Sequence, residues 1–306
     1  MMIESFKELV NRAMRDQGMS HMRAVIEKEL LHYDIMFALD QGALLSKLTF
    51  QGGTCLRLCH GAPRFSEDLD FTGGYDFDRN NLNEIKQCVE DYLGARYGLH
   101  VKVKEPKQIK AEPGVISVAK WQISLQTAPE RRDLPQQHIK LEVANLPSHT
   151  REPIALKRNY EFLPDGYVDT LVMAQNLDEI MADKIVSLVN CHKYVRHRDI
   201  WDLRWLQQQG AVPDIEMIKS KIDDYEADDY LNYLHSTIEN LPKIIASTDF
   251  KQEMKRFLPL TVQGRTLDRT GFDQFLADSV GQLLSEVGQM LEEPGERRDE
   301  TTKFTL

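Results

Sequence analysis

After Gly98 the apolar residues of this chain stop recurring at spacings of three and four and begin to alternate. Val101 and Val103 alternate with Lys102 and Lys104, and Val118, Trp121, Ile123 and Leu125 mark a β-rich stretch over 115–126. Ile139, Leu141 and Val143 then alternate with Lys140, Glu142 and Ala144, and Pro129, Pro135 and Pro147 punctuate these strands. On either side the period is helical. Phe6, Leu9, Val10, Ala13 and Met14 share one face, as do Val25, Ile26, Leu30 and Leu31, with Gly18 and the N-cap candidate Ser20 between the two helices. Short strands are expected at 48–50 and 69–72, a helix opening at 54–58, and a helix over 80–97. From Asn176 onward the pattern is helical almost to the end. Leu177, Ile180, Met181, Ile185, Leu188 and Val189 form one stripe, and further helices are expected at 200–209, 214–222, 228–247 and 271–291.

These periods predict an α+β fold with a mixed β-sheet core, preceded by helices and followed by a helical bundle. Residues 1–172 carry the N-terminal helices and the core, and residues 173–306 the helical domain. No flexible linker separates them, so the halves are expected to pack closely. The tail from Glu292 is proline, glycine and charge, and is expected to be mobile.

Charge narrows the function. The net charge of −10 argues against a protein that coats nucleic acid through bulk attraction. Local basic runs remain, at Lys102, Lys104, Lys107 and Lys110 and at Lys193, Arg196 and Arg198, readable as solvated surface or as a local contact. No run of eighteen apolar residues could span a membrane, and residues 1–17 lack the apolar segment of a secretory signal. Cys55, Cys59, Cys88 and Cys191 form no CxxC pair. A cytoplasmic protein is expected.

The chemistry is concentrated between Gln51 and Phe71. A strand ends in Gly52-Gly53-Thr54, where glycines let backbone N–H groups approach a phosphate. Asp68 and Asp70 follow at i and i+2 on a strand, so both carboxylates face one side. Divalent cations relieve the repulsion between two such groups. Thr54 and Ser66 add hydroxyl donors, and Arg57 and Arg64 add positive charge. Each element alone has an ordinary reading: solvated carboxylates at a strand end, or a plain Gly-Gly turn. Glu142, opposite in face to Ile139, Leu141 and Val143, offers a third carboxylate on another strand; by itself it reads equally as a strand glutamate paired with a lysine.

The run Gln51-Gly52-Gly53-Thr54-Cys55-Leu56-Arg57-Leu58, with Arg64-Phe65-Ser66-Glu67-Asp68-Leu69-Asp70-Phe71, resembles the AbiEii/MenT nucleotidyltransferase toxins. Leu177-Asp178-Glu179-Ile180-Met181-Ala182-Asp183-Lys184-Ile185 and Arg198-Asp199-Ile200-Trp201-Asp202-Leu203 are similar to that family's lysine helix and its acidic motif. The resemblance covers about residues 48–206.

It implies a nucleotidyltransferase-type sheet and a toxin of a toxin–antitoxin or abortive-infection phage-defence system. Such an enzyme would transfer a nucleotide from an NTP to an acceptor, with a tRNA 3′ end the leading candidate, and so block translation. The implied partners are the nucleoside triphosphate, tRNA and a cognate antitoxin, with no membrane. Two Mg²⁺ ions would sit on Asp68, Asp70 and Glu142. Gly52, Gly53, Thr54, Arg57, Arg64, Ser66 and Lys184 would hold the nucleotide, and Lys184 and Asp202 would join the catalytic set. Lys184 is expected as an exposed helix lysine, while Asp199 also reads as an ordinary N-cap and Asp202 as an ordinary first-turn carboxylate. Glu142 departs from the aspartate common at its position, lengthening the reach by one methylene. Transfer to a protein or small hydroxylated molecule, and a non-catalytic binding module, are the alternatives.

His192 and His197 flank basic residues, but adjacent Cys191 and His192 are poorly spaced for zinc. Cys55 and Cys59 read as apolar packing, and Trp121, Trp201 and Trp205 as core. No nucleophile elbow surrounds Ser66.

Overall fold

The computed structural model describes residues 5–16, 19–106, 116–127 and 136–293. Lys107, Lys110, Pro129, Pro135, Gly18 and most of the charged tail lie outside the described residues. Two helices open the chain, α1 (Phe6–Asp16) and α2 (Arg23–Gln41). Strand β1 (Thr49–Gln51) runs straight into α3 (Gly52–Cys55), which continues as a π-helical turn over Leu56–His60. Next come β2 (Leu69–Thr72), α4 (Ile85–Tyr97), β3 (Val101–Lys104), β4 (Val118–Leu125) and β5 (Gln137–Ala144). The core half closes with β6 (Glu152–Ala155), α5 (Asp165–Val168) and β7 (Leu171–Ala174). Seven further helices follow: α6 (Leu177–Asn190), α7 (His197–Gln208), α8 (Ile215–Asp224), α9 (Tyr230–Ala246), α10 (Thr248–Phe257), α11 (Leu260–Arg265) and α12 (Phe272–Glu292).

The seven strands form one mixed sheet in the order β3-β4-β5-β2-β1-β7-β6. β2 pairs with β5, and β1 with β7, in parallel; the other neighbours are antiparallel. The alternation in β5 has the expected consequence. Ile139, Leu141 and Val143 are fully buried, while Lys140 faces solvent and Glu142 is partly buried. Residue 172, where the two halves were expected to meet, lies within β7. That strand leads directly into α6, whose first turn is capped by Asn176 accepting from the Glu179 N–H at 2.9 Å. One contiguous apolar core runs from Phe6 through the sheet to Val287. No helix among the described residues is long and apolar enough to cross a membrane.

Candidate active site

The sheet register lines up four residues from four strands. Gln51 pairs with Asp70, Asp70 with Glu142, and Glu142 with Lys120. Neighbours in register share a face, so this row stands on the side away from Leu69, Leu141 and Phe71. Helix α6 crosses above it. Between them lies a cavity of about 320 Å³, lined by Gln51, Gly52, Asp70 and Glu142 below and by Ile180, Asp183 and Lys184 above. Arg196 and Tyr225 close its side.

Gly52 makes the turn from β1 into α3 with φ +76°, a conformation that side-chain-bearing residues resist. A Cβ there would lie 3.1 Å from Asp70 Oδ2, so the backbone and the carboxylate are in close approach. At Gly53 a Cβ would come within 2.6 Å of the Arg64 guanidinium and 3.0 Å of the Ser66 hydroxyl. The Gly-Gly pair therefore admits Asp70, Arg64 and Ser66 to one bare stretch of backbone.

The Asp70 carboxylate has no hydrogen-bond or ion-pair partner among the described residues. Burial, then the neighbouring charges of Glu142 and Asp68, pushes its carboxyl up to about 6. Its two acidic neighbours hold lysines instead. Lys120 lies 3.1 Å from Glu142, and Lys140 Nζ lies 3.6 Å from Asp68, whose Oδ1 also accepts from the Lys140 backbone N–H at 3.1 Å. Asp68 stands just before β2 rather than within it. Among the described residues no three His, Cys, Asp or Glu side chains converge as a preformed metal site. The donor set nevertheless fits a hard divalent cation: three carboxylate side chains, one of them unpartnered and crowded by like charge. The lysines facing the other two are more than half exposed and free to swing away.

Lys184 differs from the expectation of an exposed helix lysine. Only 6% of it is exposed, and its Nζ lies 2.8 Å from both Asp199 Oδ1 and Asp202 Oδ2. Asp202 also takes a two-pronged grip from Arg64, at 2.8 and 2.5 Å, and Asp199 pairs with Arg196. Burial pushes both carboxyls up, but these cations outweigh it and hold them below the ordinary aspartate value. The acidic motif thus anchors three cations, of which Lys184 and Arg196 line the cavity. Asp202 does not line the cavity; its carboxylate is paired with Arg64 and Lys184.

Three expected nucleotide contacts are engaged elsewhere. Arg57 grips Glu29 at 2.7 and 3.0 Å and stacks on Phe65, so its fork is unavailable. Arg64 gives Nε and Nη2 to Asp202 and Nη1 to the Phe65 carbonyl. Thr54 donates its hydroxyl to the Asp68 carbonyl and is buried, which ties the glycine turn to the acidic strand. Ser66 is buried beside Gly53.

In the second basic run Lys193 is exposed, while Arg196 and Arg198 are committed. Arg196 belongs to Asp199, and Arg198 lies between Glu67 and Glu253 while stacking on Phe257. His192 rests against Tyr233 and His197 against Phe250, away from any metal-like grouping. Cys55, Cys59 and the three tryptophans are buried as expected.

Sequence reasoning missed Gln51, Asp183 and Tyr225 at the cavity wall, and Lys221 behind it. Lys221 is 2% exposed and bridges Glu179 at 2.7 Å and Asp183 at 3.2 Å. The adjacency of Asp183 to Lys184 was a usable signal. Lys221 gave none, since its partners lie 38 or more residues upstream.

A glycine turn packed against a row of strand carboxylates, roofed by a lysine-bearing helix, is the arrangement of a nucleotidyltransferase. Residues 34–278 match the family of the nucleotidyl transferase AbiEii toxin, type IV toxin–antitoxin system, and the chain belongs to that family. It is a nucleotidyltransferase, and as a toxin of such a system it is paired with an antitoxin and uses a nucleoside triphosphate. Similar solved structures include JHP933 from Helicobacter pylori, at 17% identity and TM-score 0.48, covering 88% of this chain and 93% of that one. MenT4, a nucleotidyltransferase toxin from Mycobacterium tuberculosis, matches at 17% identity and TM-score 0.48, covering 95% and 100%. No curated protein matches the sequence.

Proposed function

We propose that the nucleoside triphosphate enters the cavity between α6 and the Gln51–Asp70–Glu142 row and that its nucleotide is transferred to the 3′ end of tRNA, which blocks translation. The observation that carries this reading is Asp70, an unpartnered carboxylate crowded by Glu142 and Asp68 beside the bare Gly52 backbone. Asp68, Asp70 and Glu142 would hold Mg²⁺, two ions in all, which supply charge neutralisation for the triphosphate and acidify the acceptor hydroxyl. The glycine turn offers backbone N–H groups to phosphate oxygens without a side chain in the way. Ser66 adds a hydroxyl at the same turn. Lys184 and Arg196, both at the cavity wall, offset the triphosphate's charge. A cognate antitoxin is the partner that restrains the activity in the cell.

The test is transfer of label from each of four α-labelled triphosphates to total tRNA, beside the same assay with a protein extract. Label on RNA that depends on added Mg²⁺ supports the reading. Label appearing only on protein would move the acceptor to another class.

A further inference from the structure

Helix α7 works on two sides. Asp199 and Asp202 turn to the ion cluster. Trp201, Arg204, Trp205 and Gln208 recur at i, i+3, i+4 and i+7 and make a separate stripe. That stripe is one wall of a second cavity, of about 380 Å³, whose other walls include Arg265 of α11 and Phe272 and Phe275 of α12. It shares no lining residue with the active-site cavity. Its size is that of a small-molecule pocket, of which about 300 Å³ is the lower bound.

The lining is aromatic and cationic at once. Arg204 lies 4.9 Å above the Phe275 ring, and the Trp201 and Phe272 rings are 5.9 Å apart. Neither Arg204 nor Arg265 has a hydrogen-bond or ion-pair partner among the described residues. The contrast with the rest of the chain is direct. Arg57 and Arg64 are gripped by carboxylates, and acidic residues outnumber Lys and Arg by 48 to 38. Two arginines without a carboxylate, Arg204 partly buried and Arg265 exposed, stand around one aromatic cavity and are open to an anion brought from outside. Trp201 Nε1 and Arg204 Nε at the same wall are buried donors without acceptors, and Trp201 is only 7% exposed.

We propose that this cavity is a second nucleotide site, in which a base lies against Phe275 and Trp205 and a phosphate against Arg204 and Arg265. Flat faces for stacking and guanidinium groups for phosphate together match a nucleoside phosphate. The unit can come from a free mononucleotide or from one residue of an RNA strand, and the two sources are separable.

Trp201 and Trp205 are two of the three tryptophans, so intrinsic fluorescence reads occupancy. The full-length protein is titrated in EDTA with guanosine and adenosine 5′-monophosphates and, separately, with a tetranucleotide RNA. Saturable quenching is expected for wild type and for Asp70→Asn. Binding is expected to weaken about tenfold in Arg204→Gln/Arg265→Gln and in Phe275→Ala. Phe275 is 47% exposed, so its truncation leaves the fold intact. Saturation by the monophosphates assigns the site to free nucleotide; saturation by the tetranucleotide alone assigns it to RNA. Absence of saturable quenching by either probe overturns the proposal. So does quenching that survives the arginine changes but is lost in Asp70→Asn. Quenching by a Glu-Phe-Glu peptide and by neither nucleotide probe would hand the cavity to a protein partner and overturn it as well.

Discussion

Lys184 Nζ lies 2.8 Å from Asp199 Oδ1, and both side chains are 7% exposed. The lysine is therefore part of the folded core as well as of the cavity wall. Lys184→Met strands two buried carboxylates beside a single remaining cation each. The loss expected is about 3–5 kcal/mol, read as a fall in melting temperature and denaturant midpoint. A variant that melts like wild type would mean that the lysine spends its time in the cavity and not on Asp199.

Asp202→Asn tests the same cluster by pH. Asp202 sits below its ordinary value of 3.8 because Arg64 and Lys184 outweigh the cost of burying it. A depressed carboxyl contributes stability above its unfolded value and loses it as pH falls through the folded value. Wild type should therefore be well above the variant at pH 7, and the gap should close as the pH drops below about 4. Urea unfolding of both proteins from pH 7 to pH 3 checks this. A gap that stays constant would remove the ion cluster from the explanation.

Much of this site was legible in the sequence, and the reasons differ residue by residue. The shared face of Asp70 and Glu142 was legible because strand alternation decides which face a side chain takes, whereas Asp68 stands just before β2. β5 kept Ile139, Leu141 and Val143 inside and put Glu142 in register with Asp70. The strands β6 and β7 went unread. Each has four residues, and the run Leu171-Val172-Met173-Ala174 has no alternation to distinguish a strand from a helix start. The ion pairs of Arg57, Arg64 and Lys184 were not legible, because tertiary structure alone supplies them. Glu29 lies 28 residues from Arg57 and Asp202 lies 138 from Arg64, so no local pattern pairs them. A lysine in an amphipathic helix reads as surface until its partners are seen.

Arg57→Gln tests which of its two readings holds. It removes half of a buried pair with Glu29, which is 1% exposed, at a cost of about 3 kcal/mol. Triphosphate affinity of the folded fraction should be unchanged. Equilibrium binding at a temperature well below the melting point separates the two effects. A large loss of affinity with normal melting would return Arg57 to the nucleotide site.

Asp70→Asn should have opposite effects on stability and on chemistry. Burial and two like charges raise the Asp70 carboxyl to about 6, so its ionised form at pH 7 is a cost to the folded protein. Neutralising it should stabilise the protein in EDTA by up to about 3 kcal/mol, from the rise above 3.8 at about 1.4 kcal/mol per pKa unit. Melting temperature in EDTA measures it. A variant less stable than wild type would mean that Asp70 is held by contacts of its own.

The most direct measurement of the central claim is transfer of α-labelled nucleotide to total tRNA by wild type, Asp68→Ala and Asp70→Asn, with Mg²⁺ and with EDTA. The account predicts labelled tRNA 3′ ends for wild type with Mg²⁺, and no labelling in EDTA or by either folded variant. Labelling of tRNA by Asp68→Ala or Asp70→Asn at near the wild-type rate would contradict it.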